Sequence, residues 1–228
     1  MSFIDVIKER AKSEKKKIVL PETGDPRTLE AADTVLREGI ADIILVGNEE
    51  EILSRAEGLD LSKACFVDPN NCERLNTYIE SLCEARKSKG LLPEDAKEIL
   101  LSNPLFFGAT MVRAGDADGM VAGAVNSSAN VLRSALQVVK TAPGTRIVSA
   151  FFLMVVPDCE LGANGTFVFA DCGLNQNPNS EQLAAIAGSS AQTFKQLVGE
   201  EPRVAMLSHS TVGSAKQRRS QKEIIRTH

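Results

Sequence analysis

Apolar runs and helically spaced amphipathic stretches take turns along this chain. KKIVLPE (16–22) is a short β-branched run that Pro21 ends. GDPRTLEAADTVLREG (24–39) predicts a helix with Asp25 as cap, Pro26 in the first turn and Gly39 as stop. ADIILVGN (41–48) and ACFVDP (64–69) read as strands, with a short helix behind the first. In CERLNTYIESLCEARKSKG (72–90), Leu75, Ile79, Leu82 and Ala85 fall on one helical face and Gly90 closes the run. PEDAKEILLSN and PLFFGATMVRAGD predict two further helices, and ADGMVAGA (117–124) a small-residue strand. SSANVLRSALQVVKTAPG (127–144) predicts a helix stopped by Pro143 and Gly144. RIVSAFFLMVVP (146–157), TFVFADCG (166–173) and RVAMLSHS (203–210) read as strands. Between the last two, SEQLAAIAGSSAQTFKQLVG (180–199) reads as a helix capped by Ser180. Strands separated by helices argue for an α/β fold with mainly parallel sheets, and continuous apolar strands for sheets covered on both faces. The natural boundary lies near residue 145: a first α/β domain over 1–145, and a second over 146–216.

Composition narrows the function classes. The 228 residues are 43% hydrophobic and 25% charged, as in a globular protein, but only 4% aromatic with no Trp. The core must therefore be aliphatic. A net charge of -4 speaks against general nucleic-acid binding. The longest apolar run, 147–157, falls well short of the roughly 20 residues of a membrane span. Residues 7–17 are charged where a secretory signal needs an apolar stretch. The charge run 8–17 reads as a solvated helix or a partner site. Five cysteines with no CxxC pair, and only two histidines, argue against a disulfide framework or a zinc site. The expectation is a cytoplasmic protein without nucleic-acid or membrane partners.

Chemistry concentrates at strand-to-helix turns. Asn126, Ser127 and Ser128 follow a small-residue strand and open a helix; free backbone N–H groups and two hydroxyls there suit phosphate, with Arg133 within two turns. Equally, Ser127 is a plain cap and Arg133 faces water. Ser208, Ser210, Thr211 and Gly213 form a second such turn, again either an anion cradle or a cap. PETGDPR (21–27) mixes acids with Arg27 and reads more as a helix cap than an anion site. Cys159, Cys172, Asp158 and Asp171 sit at strand ends. A catalytic thiol needs a base that nothing in the sequence places nearby, and the two aspartates read as turn residues before general bases.

Five segments in order carry a resemblance: KIVLPETGDPRTLEAA, DGMVAGAVNSSANVLRSALQVVKTAPG, SAFFLMVVPD, FVFADCGLNQNPNSEQLAAIA and VAMLSHSTVGSAK. Together they resemble the phosphate acetyl/butyryltransferase family from about residue 1 to residue 216, the acetyl form more than the butyryl. The resemblance implies reversible acetyl transfer between coenzyme A and phosphate: acetyl-CoA and phosphate to acetyl phosphate and CoA. It implies two α/β domains similar to isocitrate and isopropylmalate dehydrogenases, a cleft site, a homodimer, and CoA as substrate with no bound cofactor or metal. Arg86, in EARKSKG, and Arg133 match arginines that face CoA in the family; Asn126, Ser127, Ser128, Ser210, Thr211 and Gly213 match its polar turns.

Family chains run longer, so this chain is expected to be C-terminally truncated, with an incomplete second domain and a non-family tail over 217–228. The family's Ser-Arg pair, aspartate base and a further arginine have no counterpart here, which leaves the catalytic residues unassigned. The alternative function is a remnant that binds CoA or phosphate without turnover. An incomplete sheet exposes an edge, so the isolated chain is expected to associate or precipitate. A monodisperse, cooperatively melting monomer would refute that expectation.

Overall fold

A computed structural model describes residues 3–207. Contacts divide the chain into two compact units, Met1–Lys140 and Thr141–His228.

The first unit opens with α1 (Phe3–Ser13), a charged helix with no buried residue. Next come β1 (Lys17–Leu20), α2 (Pro26–Glu38), β2 (Asp42–Val46), α3 (Glu49–Ser54) and β3 (Cys65–Val67). After them run α4 (Leu75–Ala85), α5 (Pro93–Ser102), α6 (Pro104–Arg113), β4 (Gly119–Met120) and α7 (Ser128–Ser134). The four strands make one parallel sheet, ordered β3-β2-β1-β4. Alternation along the central strands assigns each face its layer. Val19, Ile44 and Val46 face a cluster with Tyr78, Leu82, Leu100 and Phe107 of α4, α5 and α6. Leu20, Ile43 and Leu45 face Leu29, Ala32 and Leu36 of α2, with Ile52 and Leu61.

Local signals hold where they are strong. Asp25 caps α2, Pro26 occupies its first turn, and Gly39 ends it at φ 68. On α4 the buried face turns on Tyr78, Leu82 and Ala85, while Leu75 and Ile79 are only half-buried. The reason is a polar tether: the Tyr78 hydroxyl donates to Asp116 at 2.7 Å, and its ring meets Phe107 edge-on at 5.4 Å. The helix after Ser127 ends sooner than Pro143 and Gly144 predict. It widens into a π-helical turn, Ala135–Val139, and stops at Lys140, whose φ is 74.

The second unit corrects the expectation of a mainly parallel sheet covered on both faces. Its strands β5 (Phe151–Val155) and β6 (Thr166–Ala170) pair antiparallel, Phe151 opposite Ala170 and Val155 opposite Thr166. The connection over 156–165 is too short for the crossover that parallel strands need. It turns through Asp158, Gly162, Asn164 and Gly165, all at positive φ. Helix α8 (Ser180–Val198) packs on β6 and buries Ile186. Phe151, Phe152 and Phe169 stay exposed. The cap of α8 is Asn179, not Ser180; with Gln182 it forms a reciprocal capping box. Residues 201–207 carry no strand, and the rest of the strand expected over 203–210 lies outside the described residues.

Two glycines give opposite predictions. A Cβ on Gly108 of α6 would meet Met120 Sδ at 2.9 Å and Val19 Cγ1 at 3.0 Å, whereas one on Gly188 of α8 meets nothing within 4 Å. Gly108→Ala should destabilise the first unit by about 1–3 kcal/mol through overpacking. Gly188→Ala should stabilise α8 by about 0.5–1 kcal/mol. Urea unfolding midpoints of the two variants should therefore move in opposite directions.

Candidate functional site

Because β1 and β4 are neighbours, the loops leaving their carboxyl ends lie side by side. That is where α/β proteins bind ligands. Glu22, two residues past β1, is only 8% exposed. Its Oε2 accepts the backbone N–H groups of Gly123 at 2.6 Å and Ala124 at 2.7 Å. Its Oε1 accepts those of Val125 at 3.1 Å and Asn126 at 2.7 Å, and the Asn126 side-chain amide at 2.9 Å. Burial pushes the carboxyl upward, but these donors outweigh it and hold the group at about 2. Arg27 completes the clasp from the other polarity. Its Nη2 donates to the Ala124 carbonyl at 2.5 Å while Asp25 holds the guanidinium. Thr23 ties the same loop to β2 through the Val46 carbonyl at 2.8 Å.

This geometry corrects the picture of a turn with free N–H groups. The four amides of residues 123–126 are taken by Glu22. What remains on the surface is the exposed turn of Ser127 and Ser128 and the exposed Arg133. Ser127 caps α7 by accepting the Asn130 N–H at 3.3 Å. Arg133 donates to Asn130 Oδ1 at 3.0 Å. Arg86 is half-buried and donates to the side-chain carbonyl of Gln137. Gln137 lies four residues after Arg133, in the π-helical turn that follows α7. Arg86, at the carboxyl end of α4, is thus tied through Gln137 to the helical run that carries Arg133. Arg113 steadies the π-helical turn by donating to the Val138 carbonyl at 3.1 Å.

Sequence reasoning missed Glu22 and Gln137. The available signal for Glu22 was an acid just past a strand end, with a glycine-bearing loop after another strand. Only the pairing of β1 with β4 joins the two. Gln137 carried no signal of its own.

In the second unit Asp171 plays a similar structural part. It accepts from the N–H groups of Gly173 and Leu174, both at 2.7 Å, from Asn175 Nδ2 at 2.5 Å, and from the Ala150 N–H at 3.4 Å. Burial raises its carboxyl, the donors prevail, and it too sits at about 2. Asp171 is therefore a turn organiser. Cys159 and Cys172 are half-buried, unpaired thiols. Ser210, Thr211 and Gly213 lie outside the described residues. Among the described residues no three His, Cys, Asp or Glu side chains cluster so as to hold a metal.

The model of the family described as phosphate acetyl/butaryl transferase matches residues 2–226. The chain belongs to that family. The match continues past Lys216, where the resemblance is expected to stop. A phosphate acetyltransferase of Thermoanaerobacterium thermosaccharolyticum is 58% identical over 215 residues, which cover 94% of this chain and 65% of that protein. One from Acetivibrio thermocellus is 54% identical over 227 residues, covering 100% of this chain and 68% of that protein. The chain thus spans about two thirds of the length of these relatives. A phosphotransacetylase structure from Streptococcus pyogenes superposes with a TM-score of 0.87 at 35% identity, over 100% of this chain and 69% of that one.

A depressed carboxyl carries a sign. Glu22 would titrate near 4.5 in the unfolded chain and near 2 when folded, so its contribution is complete above about pH 4.5. It is lost as pH falls through about 2, and amounts to at most about 3 kcal/mol. Urea unfolding should show wild type well above Glu22→Gln at about pH 6, with the gap held down to about pH 4.5 and narrowing from there toward about pH 2.

Proposed function

We propose that this chain carries out, within a protein of the family's full length, reversible acetyl transfer between coenzyme A and phosphate. The observation that carries the reading is the surface beside the Glu22 clasp. There Arg133 is exposed, Arg86 is tied through Gln137 to the helical run that carries it, and the serine turn opens that run. Two guanidiniums suit the phosphates of CoA, and the turn hydroxyls suit a phosphoryl group. Ser127, Ser128, Arg86 and Arg133 are the substrate-binding set on the first unit, while Asn126, engaged by Glu22, holds the turn; Ser210, Thr211 and Gly213 are proposed as a further polar turn for substrate. CoA enters as substrate, and the working assembly is a cytoplasmic homodimer of two-domain subunits.

In the reaction, the CoA sulfur, as thiolate, attacks the carbonyl carbon of acetyl phosphate. A tetrahedral oxyanion forms, and its collapse breaks the bond to the phosphate oxygen. Acetyl-CoA leaves together with inorganic phosphate, which carries away the proton that the thiol gave up. Hydrogen-bond donors stabilise the oxyanion and positive charge favours the departing phosphate. The transfer is direct and passes through no acyl-cysteine. Neither Glu22 nor Asp171 takes the thiol proton near neutral pH, since each carboxylate sits at about 2 with its oxygens already engaged.

The test is thioester absorbance from acetyl phosphate and CoA, with Arg133→Ala alongside. Loss of charge-assisted contacts to CoA phosphates should raise KM for CoA about 10- to 100-fold. An Arg133→Ala variant with wild-type KM would remove Arg133 from the CoA site.

A further inference from the structure

We infer that Glu22 and Arg27 are positioning residues: they clasp the loop over 123–126 from both polarities and thereby set the serine turn and Arg133 for an anionic substrate. The inference rests on the acetyl-transfer reading for the identity of that substrate, CoA.

Three observations support it. First, the contacts are complementary. Glu22 takes four consecutive N–H groups and one side-chain amide, while Arg27 takes the carbonyl of Ala124 in the middle of the same run. A loop held through both its donors and its acceptors has few alternative shapes. Second, the two large apolar side chains of this loop do not anchor it. Val121 is 63% exposed and Val125 is 68% exposed, so the loop is not fixed by packing. Third, the clasp ends where the helix begins. Asn126 gives its N–H and side chain to Glu22, Ser127 caps α7, and Arg133 lies less than two turns further on. A change in loop shape therefore moves the helix start and whatever it presents.

The clasp also decides where the substrate's charge can go. Four convergent backbone N–H groups form a natural anion nest. Here the chain's own carboxylate fills it. Phosphate is thereby directed outward, to the hydroxyls of Ser127 and Ser128 and to Arg133. Removing the carboxylate should loosen the loop and leave the nest open to a small anion.

The experiment compares the full 228-residue chain with Glu22→Gln, Arg27→Ala and Glu22→Ala. CoA affinity is read by calorimetry, and the amides of residues 123–126 by proton–nitrogen spectra. Glu22→Gln keeps the shape but sets an amide donor against backbone donors. It should weaken CoA binding about tenfold or more and shift the amide protons upfield. Arg27→Ala should weaken CoA binding less and leave the amide signals of Gly123 and Asn126 nearly in place. In Glu22→Ala, formate should restore the amide shifts and CoA affinity where chloride at equal ionic strength does not. A purely structural carboxylate would lower the melting temperature without this formate-specific recovery of affinity. Should Glu22→Ala fail to fold, the Glu22→Gln result decides. A folded Glu22→Gln chain that binds CoA as wild type does would overturn the inference. A folded wild-type chain that binds no CoA would overturn the acetyl-transfer reading, and this inference with it, before any variant is compared.

Discussion

A carboxylate taken out of water at the end of a parallel sheet is costly unless its lone pairs are filled. Glu22 meets that condition by drawing on the backbone of the loop beyond a neighbouring strand. The rest of the first unit follows from the match. The loop after β1 must stay at the sheet's end, the loop after β4 must bring four N–H groups inward, and Asn126 must begin the approach to α7. The sheet order, with β1 beside β4, is what makes the meeting possible. The aliphatic layers on either face hold the two strands in register, and the clasp converts that register into a defined surface.

The second unit uses the same chemistry on a smaller sheet. Asp171 closes its loop with backbone donors from both the following turn and Ala150, the residue before β5. Yet β5 and β6 form only a two-stranded antiparallel pair, and several of their aromatic side chains remain exposed. In the first unit the loops hang on a sheet buried by helices on both faces. In the second the order of the loop depends more heavily on the carboxylate itself, because α8 is the main element packed against the pair.

Much of the fold was legible along the chain because its signals are local. Asp25, Pro26 and Gly39 bound α2 by cap, fixed φ and left-handed stop, and the continuous apolar runs in Lys17–Leu20 and Asp42–Val46 declare two buried strands. Strand direction in the second unit was not legible, since an apolar run such as 146–157 packs equally well either way and only its short connection decides. The pivot of α4 escaped because Tyr78 is buried by a partner, Asp116, that lies 38 positions away. At the site, Ser127 as cap and Arg133 as an exposed cation follow from position on the helix. The filled nest did not follow, for the plainest reason: whether a backbone N–H is free depends on a residue from another strand.

Glu22 and its donors are separated by 101 to 104 positions. During synthesis, then, most of the first unit is made before the clasp can close. Closing so long a loop costs conformational entropy that only the assembled sheet and its helices can offset. Until residue 126 has emerged, Glu22 stands at the end of β1 with no internal donor and is best left hydrated. The surface proposed to receive CoA is therefore late in the order of assembly: it exists only once β4 has docked against β1, and any change that keeps β4 from docking removes it even where every residue of the site is intact.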